Sequence, residues 1–313
     1  MQNAGQAATE GKHKMMLVTG AAGFVGRHVV ARLVAEGEHP RCLVRDTAMA
    51  AANLPARSVE LVEGDTTKPA TLEAAVAGVD TIIHAAFITA ERKQGPGVNY
   101  RETNVTGTRN LVAAAKRAGV TRIIEAGGLG TKPSRAGSYM EGRYLADQSI
   151  KESGLAWSIL GPSVQFGQGS AFIAGLADLI RKAPVVPMIG NGKREFQPIW
   201  VEDVARCLVQ MAREPQRYDG RSIEVGGPEI YTYAQILDML MASLGKHKLK
   251  VPGPMPFAAL GALAMELTLR NPPITTAALG LFTFDNVTAL DAVRREFGFA
   301  PLSLPAYLAE HGV

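Results

Sequence analysis

Three glycines lie at G-x-x-G-x-x-G spacing between an apolar segment, residues 15–18, and a run typical of a helix. Gly20 permits a tight turn, Gly23 leaves the backbone open to a pyrophosphate, and Gly26 allows the helix to pack closely on the strand. A helix that begins near Phe24 presents free N–H groups and a partial positive charge to phosphate oxygens. The spacing is not G-x-G-x-x-G, but the strand–turn–helix context predicts a dinucleotide site.

Arg45 and Asp46 follow the second predicted strand, about 20 residues beyond the glycines, where an adenosine ribose is expected. An acidic residue there hydrogen-bonds the ribose 2′-hydroxyl of NAD, whereas an arginine contacts the 2′-phosphate of NADP. Arg45 ends the strand and Asp46 begins the loop, so the pattern favours NADP(H) over NAD(H). Arg27, just after the last glycine, is placed to assist, and an exposed loop arginine is the alternative reading of Arg45.

Further candidate cofactor contacts follow the third and fourth strands. Asp65 can accept a hydrogen bond from an adenine amino group, although Gly-Asp pairs also form ordinary turns. Small residues after His84 leave backbone access for a nicotinamide ribose, and His84 itself has the pattern of a packed strand residue. The predicted cofactor contacts are Gly20, Gly23, Phe24, Val25, Gly26, Arg45, Asp65, Thr66, His84, Ala85, Ala86 and Asn104.

The elements that must position these residues alternate between strands and helices. Continuous apolar runs are typical of parallel strands covered by helices on both faces. Right-handed crossovers then give an α/β fold of the Rossmann type, a doubly wound parallel sheet with ligand at the carboxyl ends of its strands. Strands are predicted over residues 15–18, 41–45, 59–65, 80–86, 121–126 and 156–160, and helices over residues 104–118 and 201–211.

Several segments resemble the extended and atypical short-chain dehydrogenase/reductases of the NAD-dependent epimerase/dehydratase superfamily. They are TGAAGFVG at 19–26, VEGD at 62–65, HAA at 84–86, NVTGTRNLVAAA at 104–115, SGLAWSILGPSVQFG at 153–167 and FQPIWVEDVA at 196–205. The segment PPITTAALGLFTFDNV at 272–287 narrows the resemblance to the branch related to NDUFA9, an accessory subunit of respiratory complex I. This branch includes bacterial NAD(P)-binding relatives, and the resemblance covers nearly the whole chain from Met15.

The resemblance implies a catalytic serine and a Y-x-x-x-K pair, in which the tyrosine is the acid/base and the lysine lowers its pKa. Gly127 and Gly128 stand where the serine is expected. Alignment from SGLAW puts Tyr139 at the tyrosine position and Arg143 at the lysine position, four residues apart on one helix face. Arginine brings positive charge as a broad planar fork, so the exchange is not conservative. Tyr139 is either the acid/base of a degraded site or a partly buried helix aromatic.

Composition and charge fit an ordinary globular protein of 313 residues. The 33 basic and 29 acidic residues form no long basic run, which argues against a nucleic-acid partner. Cys42 and Cys207 give neither a disulfide framework nor metal-ligand spacing, so no metal and a cytoplasmic location are expected. Residues 1–14 are predicted to be a disordered tail, residues 15–165 the NAD(P)-binding domain, and residues 166–313 a mixed region. The mixed region completes the sheet and forms a smaller, mostly helical lobe for a substrate or partner.

An apolar run at residues 257–269, interrupted only by Glu266, follows three prolines. It is too short to span a bilayer. The first expectation is a helix buried in the small lobe, and the alternative is a peripheral membrane or protein-complex contact.

Two functions are compatible with these patterns. One is an NADPH-dependent oxidoreductase or epimerase with a weakened Tyr139/Arg143 site and an unknown small-molecule substrate. The other is a non-catalytic NADPH-binding structural or assembly protein, of the respiratory complex I or quinone-biosynthesis type, that acts through a partner. Fold alone does not separate them, because function depends on the site.

Overall fold

The computed structural model describes residues 15–89, 98–269, 272 and 274–313; the tail predicted at residues 1–14 lies outside them. The strands are β1 (Met16–Thr19), β2 (Arg41–Val44), β3 (Glu60–Glu63), β4 (Thr81–His84), β5 (Arg122–Ala126), β6 (Ala156–Pro162), β7 (Gln165–Phe166), β8 (Val186–Ile189), β9 (Glu195–Phe196), β10 (Ile199–Trp200), β11 (Arg221–Val225), β12 (Tyr231–Thr232) and β13 (Lys250–Gly253). The α-helices are α1 (Phe24–Ala35), α2 (Thr47–Ala51), α3 (Leu72–Val76), α4 (Gly107–Arg117), α5 (Tyr139–Lys151), α6 (Ala171–Lys182), α7 (Val201–Arg213), α8 (Pro215–Tyr218), α9 (Tyr233–Ser243), α10 (Met255–Thr268), α11 (Ala292–Phe297) and α12 (Leu304–His311).

The main sheet has seven strands in the order β11–β6–β5–β4–β1–β2–β3, and every neighbouring pair is parallel. The predicted doubly wound parallel sheet of the Rossmann type is therefore confirmed. The chain moves outward from β1 in both directions, so a crevice opens at the carboxyl ends of β1 and β4. The helix expected over residues 104–118 is present, but it starts earlier, as a π-helical segment over Arg101–Thr106, and continues as α4.

Helices cover both faces of this sheet, as continuous apolar strands require. On one face α1 and α7 pack together, and Val29, Leu33 and Leu208 are buried there. On the other face α3, α4 and α5 enclose a second core that includes Leu72 and Leu111. Both faces of the central strands are therefore removed from water, which leaves the strand ends as the accessible part of the sheet.

The C-terminal half adds a smaller lobe with its own apolar core, built around α6, α9 and α12. Three two-stranded pairs, β7 with β10, β8 with β13 and β9 with β12, join these helices. The expectation that residues 257–269 form a buried helix is wrong, because Ala262 is the only buried residue that α10 contributes. No helix in the described ranges is both long and apolar enough to cross a membrane.

Candidate functional site

The glycine turn between β1 and α1 packs tightly against the segment that follows β4. Gly20 has φ +64°, and a Cβ there would lie 2.5 Å from the Ala85 carbonyl oxygen. A Cβ on Gly26 would overlap the Gly20 carbonyl oxygen. Gly23 caps α1 with its backbone alone, and a Cβ there would lie 2.9 Å from the same oxygen. Glycine is thus required at Gly20 and Gly26 for the turn itself, whereas Gly23 also faces the cleft.

A cleft of about 400 Å³ opens beside this turn, at the carboxyl ends of the central strands. Five of the twelve predicted cofactor contacts line it: Gly23, Phe24, Val25, Arg45 and Ala85. The lining also includes residues 126–129, at and beyond the end of β5, and residues of α5 and of the small lobe. The free N–H groups at the start of α1 and the open backbone at Gly23 fit the pyrophosphate of a dinucleotide. Within the described ranges, no cluster of His, Cys, Asp or Glu could hold a metal ion.

Arg45 and Asp46 have different surroundings. The Asp46 carboxylate accepts a hydrogen bond of 2.9 Å from the Met49 N–H and so caps α2. Arg45 is exposed and lines the cleft. The Arg27 side chain donates to the Gln168 carbonyl oxygen. Of the pair Arg45 and Asp46, Arg45 is therefore the residue that lines the cleft.

The remaining predicted contacts support the cleft from behind. His84 is fully buried between the Thr19 and Thr108 hydroxyls, at 2.7 and 3.0 Å. Burial, together with the charge of Arg143, lowers the pKa of His84 to about 3, so its ring is neutral. The Asn104 amide donates to the Ile88 carbonyl oxygen at 3.1 Å and accepts from the Ile88 N–H at 2.9 Å. Asn104 thereby fixes the segment after β4 that lines the cleft.

Asp65 and Thr66 form a turn beyond β3. The Asp65 carboxylate accepts from the Thr67 N–H at 2.9 Å and from its hydroxyl at 2.8 Å. Thr66 is buried, and its carbonyl oxygen accepts from Asn110 at 3.0 Å. These two residues, with Gly20, Gly26, His84, Ala86 and Asn104, lie outside the set that lines the cleft.

Tyr139 and Arg143 both reach the cleft from the start of α5. Ser138 caps this helix by accepting from the Glu141 N–H at 3.2 Å, which sets where the helix begins. The Tyr139 ring packs edge-on against Tyr100, with centroids 5.5 Å apart. The acid/base position and the cation position of the sequence prediction therefore share one cavity with the glycine turn.

Arg143 is held in place by groups behind the cleft. Its Nη2 donates to the Ala126 carbonyl oxygen at 2.9 Å and lies 3.2 Å from a carboxylate oxygen of Glu125. The guanidinium carbon lies 4.0 Å from the centroid of the Phe87 ring. Burial alone would lower the pKa of Arg143, but Glu125, Tyr139 and Asp147 raise it, so the guanidinium stays charged.

The two acids beside Arg143 are both buried. Burial, and then the charge of Asp147, raise the pKa of Glu125 well above its usual range. Burial also raises the pKa of Asp147, which lies one helical turn beyond Arg143. Glu125, Arg143 and Asp147 thus form one buried cluster of ionisable groups behind the cleft. Sequence reasoning missed this cluster, although an acid inside the apolar β5 and an Asp at i+4 from Arg143 were visible signals.

The two glycines that stand where the serine is expected, Gly127 and Gly128, have different surroundings. A Cβ on Gly127 would lie 2.7 Å from the Leu160 carbonyl oxygen, so no larger side chain fits there. A Cβ on Gly128 would lie 3.9 Å from both the Tyr139 hydroxyl and the Thr131 Oγ1, which is ordinary contact. Gly128 is therefore the position at which a serine hydroxyl would meet Tyr139. The cleft-lining Thr131, whose hydroxyl donates to the Gly128 carbonyl oxygen at 2.7 Å, was also missed.

A family model described as NAD(P)H-binding matches residues 20–215. The chain belongs to this NAD(P)H-binding family. An NAD(P)H azoreductase of Xenophilus azovorans is 32% identical over 236 residues, 74% of each protein. The mitochondrial NADH dehydrogenase (ubiquinone) 1 alpha subcomplex subunit 9 of Arabidopsis thaliana is 22% identical over 278 residues, 87% of this chain and 68% of the relative.

Solved structures share the fold of this NAD(P)H-binding chain. The NADPH complex of the Escherichia coli quinone oxidoreductase QOR2 superposes with a TM-score of 0.76, at 19% identity, over 95% of this chain and 99% of that one. The resemblance to the atypical short-chain dehydrogenase/reductases is confirmed by the family match and by this shared fold. The chain is thus an NAD(P)-binding protein of the atypical short-chain dehydrogenase/reductase type.

Proposed function

We propose that the cleft binds NADPH in preference to NADH, with Arg45 on the 2′-phosphate. Asp46, the acid that would favour NADH, uses its carboxylate to cap α2. Arg45 is exposed beside the glycine turn and offers a guanidinium to an anion. Gly23 and the start of α1 would hold the pyrophosphate, since Gly23 lines the cleft with backbone alone next to free N–H groups.

We propose further that the protein is an NADPH-dependent oxidoreductase or epimerase. The observation that carries this proposal is the position of Tyr139 and Arg143 in one cleft with the glycine turn. Bound NADPH would supply hydride to a substrate carbon. Tyr139 donates its proton to the substrate oxygen, and the Arg143 charge stabilises the phenolate that remains. Oxidation of an alcohol reverses both transfers, with Tyr139 as the base.

Weak turnover is expected from this arrangement. The Arg143 guanidinium already serves the Ala126 carbonyl and Glu125, which leaves less of its hydrogen-bonding capacity for a ribose. Gly128 supplies no hydroxyl to orient the substrate oxygen. Positioned acid/base groups are typically worth about a hundredfold to ten-thousandfold in rate, and an incomplete set forfeits part of that factor.

The experiment measures NADPH oxidation with a panel of quinones, ketones and aldehydes. We expect Tyr139→Phe to lower kcat on the order of a hundredfold, because the proton donor is lost while NADPH still binds. Tyr144→Phe, which removes a tyrosine hydroxyl from the same helix, is the matched control and should leave the rate unchanged. Equal rates for Tyr139→Phe and the wild type would overturn the catalytic role.

A non-catalytic NADPH-binding role within a protein complex is the second candidate. It is favoured by the Arg143 contacts, because a cation held by buried acids also serves a purely structural purpose. The Arabidopsis thaliana relative is named as a subunit of NADH dehydrogenase, which is a multisubunit assembly. Tight NADPH binding by calorimetry, with no oxidation of NADPH across the whole panel, would select this role.

A further inference from the structure

Helix α10 exposes an apolar surface that the rest of the chain does not cover. Phe257, Leu260, Leu263 and Leu267 recur at three- and four-residue intervals along one side of the helix, and these side chains are 46–77% exposed. The opposite side, through Ala258, Ala259 and Ala262, packs on the small-lobe core. A helix that is apolar on both sides needs a second apolar environment.

Two further exposed apolar residues lie at and just before the start of β13, the strand that precedes α10. Leu249 is 71% and Val251 is 40% exposed, and they alternate along the chain with Lys248 and Lys250. The Lys250 ammonium pairs with Asp238 at 2.6 Å, and that of Lys248 donates to the Ala183 carbonyl oxygen at 2.6 Å. The two lysines thus point towards the protein, and the two apolar residues point away from it.

The segment of the chain that carries the apolar surface is basic in sequence. Residues 246–270 contain four lysines or arginines and one acid, Glu266. The Glu266 carboxylate accepts from the Thr276 N–H at 3.1 Å and from its hydroxyl at 3.0 Å, so the acid faces the protein. The end of α6, joined to this edge through Lys248, adds Arg181 and Lys182, which pair with Asp178. The edge therefore keeps an excess of positive charge around an apolar centre.

We propose that α10 is an interfacial helix that docks the protein on an anionic phospholipid surface. Phe257, Leu260, Leu263 and Leu267 enter the acyl boundary, while the excess positive charge of this edge attracts the acidic headgroups. A second copy of the chain fits less well, because a twofold contact through α10 would bring two basic edges together. The complementary charge thus favours a bilayer with acidic lipids.

The test is co-sedimentation of the full chain with vesicles, either of phosphatidylcholine alone or of equal parts phosphatidylcholine and phosphatidylglycerol. We expect binding to the acidic vesicles, weaker binding to the neutral ones, and loss of binding as NaCl rises from about 0.1 M to about 0.5 M. Leu260→Glu/Leu267→Glu should weaken binding to the acidic vesicles at least tenfold. Leu290→Glu is the control, because Leu290 is 54% exposed and lies outside α10. This variant should bind the vesicles as the wild type does.

An unchanged NADPH affinity in each variant shows that the fold is retained. If the double variant does not retain it, the single variant Leu260→Glu replaces it in the test. Equal vesicle binding by the α10 variant and the wild type would overturn the proposal. Sedimentation velocity tests the alternative of self-association. If the wild type is a dimer that Leu260→Glu/Leu267→Glu dissociates, and if the wild type does not bind vesicles, then α10 is a contact between two copies of the chain and the lipid proposal is rejected.

Discussion

Restoring a hydroxyl at Gly128 is the sharpest perturbation that the geometry of the cleft offers. A Cβ at this position lies 3.9 Å from the Tyr139 hydroxyl and 4.0 Å from Arg143 Nε, so a serine side chain fits without displacing a neighbour. Its Oγ, about 1.4 Å beyond the Cβ, comes within hydrogen-bonding reach of the Tyr139 hydroxyl and of a substrate oxygen between them. Gly128→Ser would therefore supply the orienting group that the site lacks.

The expected increase in kcat for Gly128→Ser follows from the strength of one neutral hydrogen bond. A net contribution of about 0.5–1.5 kcal/mol in the transition state raises kcat about twofold to tenfold. Gly127→Ser is the matched control, because its Cβ would lie 2.7 Å from the Leu160 carbonyl oxygen and 2.9 Å from the Ile159 side chain. Overpacking of this kind costs about 1–3 kcal/mol, so Gly127→Ser should lower Tm by several degrees with no gain in rate.

The assay compares NADPH oxidation and thermal unfolding for the wild type and both serine variants. A Gly128→Ser protein with wild-type Tm and no increase in kcat for any compound of the panel would refute the reasoning about the missing hydroxyl. A Gly127→Ser protein with an unchanged Tm would refute the packing argument that distinguishes the two glycines.

Four other predictions follow from the cleft and its supports. Gly23→Val should abolish NADPH binding in calorimetry while the protein remains folded by circular dichroism. An unchanged NADPH affinity would show that the pyrophosphate does not bind at this turn. Arg45→Ala should weaken NADPH binding about tenfold to a hundredfold and NADH binding far less, and an equal loss for both would refute the 2′-phosphate contact. Arg143→Lys should lower Tm, since a single ammonium cannot replace the fork that serves both Ala126 and Glu125; a Tm at or above the wild-type value would contradict this. The lowered pKa of His84, about 3 against an unfolded value near 6.5, means that the unfolded chain takes up the proton first as pH falls. His84 by itself should thus cost about 2 kcal/mol of stability between pH 7 and pH 5, measured in urea titrations as the change with pH in the difference between the wild type and His84→Gln. A difference that stays constant over this range would contradict the burial of a neutral His84.

The sheet was predictable because its central strands are buried on both faces. Residues 41–45 and 121–126 read as continuous apolar runs, and the glycine turn fixed where the ligand crevice opens. The seventh strand, β11, escaped prediction because it lies at the sheet edge, where its residues alternate between exposed and buried. Short edge strands of this kind carry little of the apolar signal on which sequence reasoning depends.

The site was predictable only in its outline. Glycine spacing indicated the turn, and the chain position of Arg45 indicated its role, because both signals are local. The contact of Arg143 with Glu125, and the position of Thr131 in the wall of the cleft, depend on tertiary structure. The exposure of α10 was likewise invisible, since an apolar run has the same pattern whether the lobe covers it or not.

The buried contacts of Arg143 limit how the Tyr-x-x-x-Lys pair could be engineered into this chain. A lysine at this position keeps the positive charge, but its single ammonium cannot reproduce the planar fork that reaches both the Ala126 carbonyl oxygen and Glu125. One of these buried groups would then lose its partner, which costs stability. Substitutions at Arg143, Glu125 and Asp147 are therefore not expected to have additive effects. A designed return of the lysine should be tolerated best when one of the two acids is replaced in the same variant.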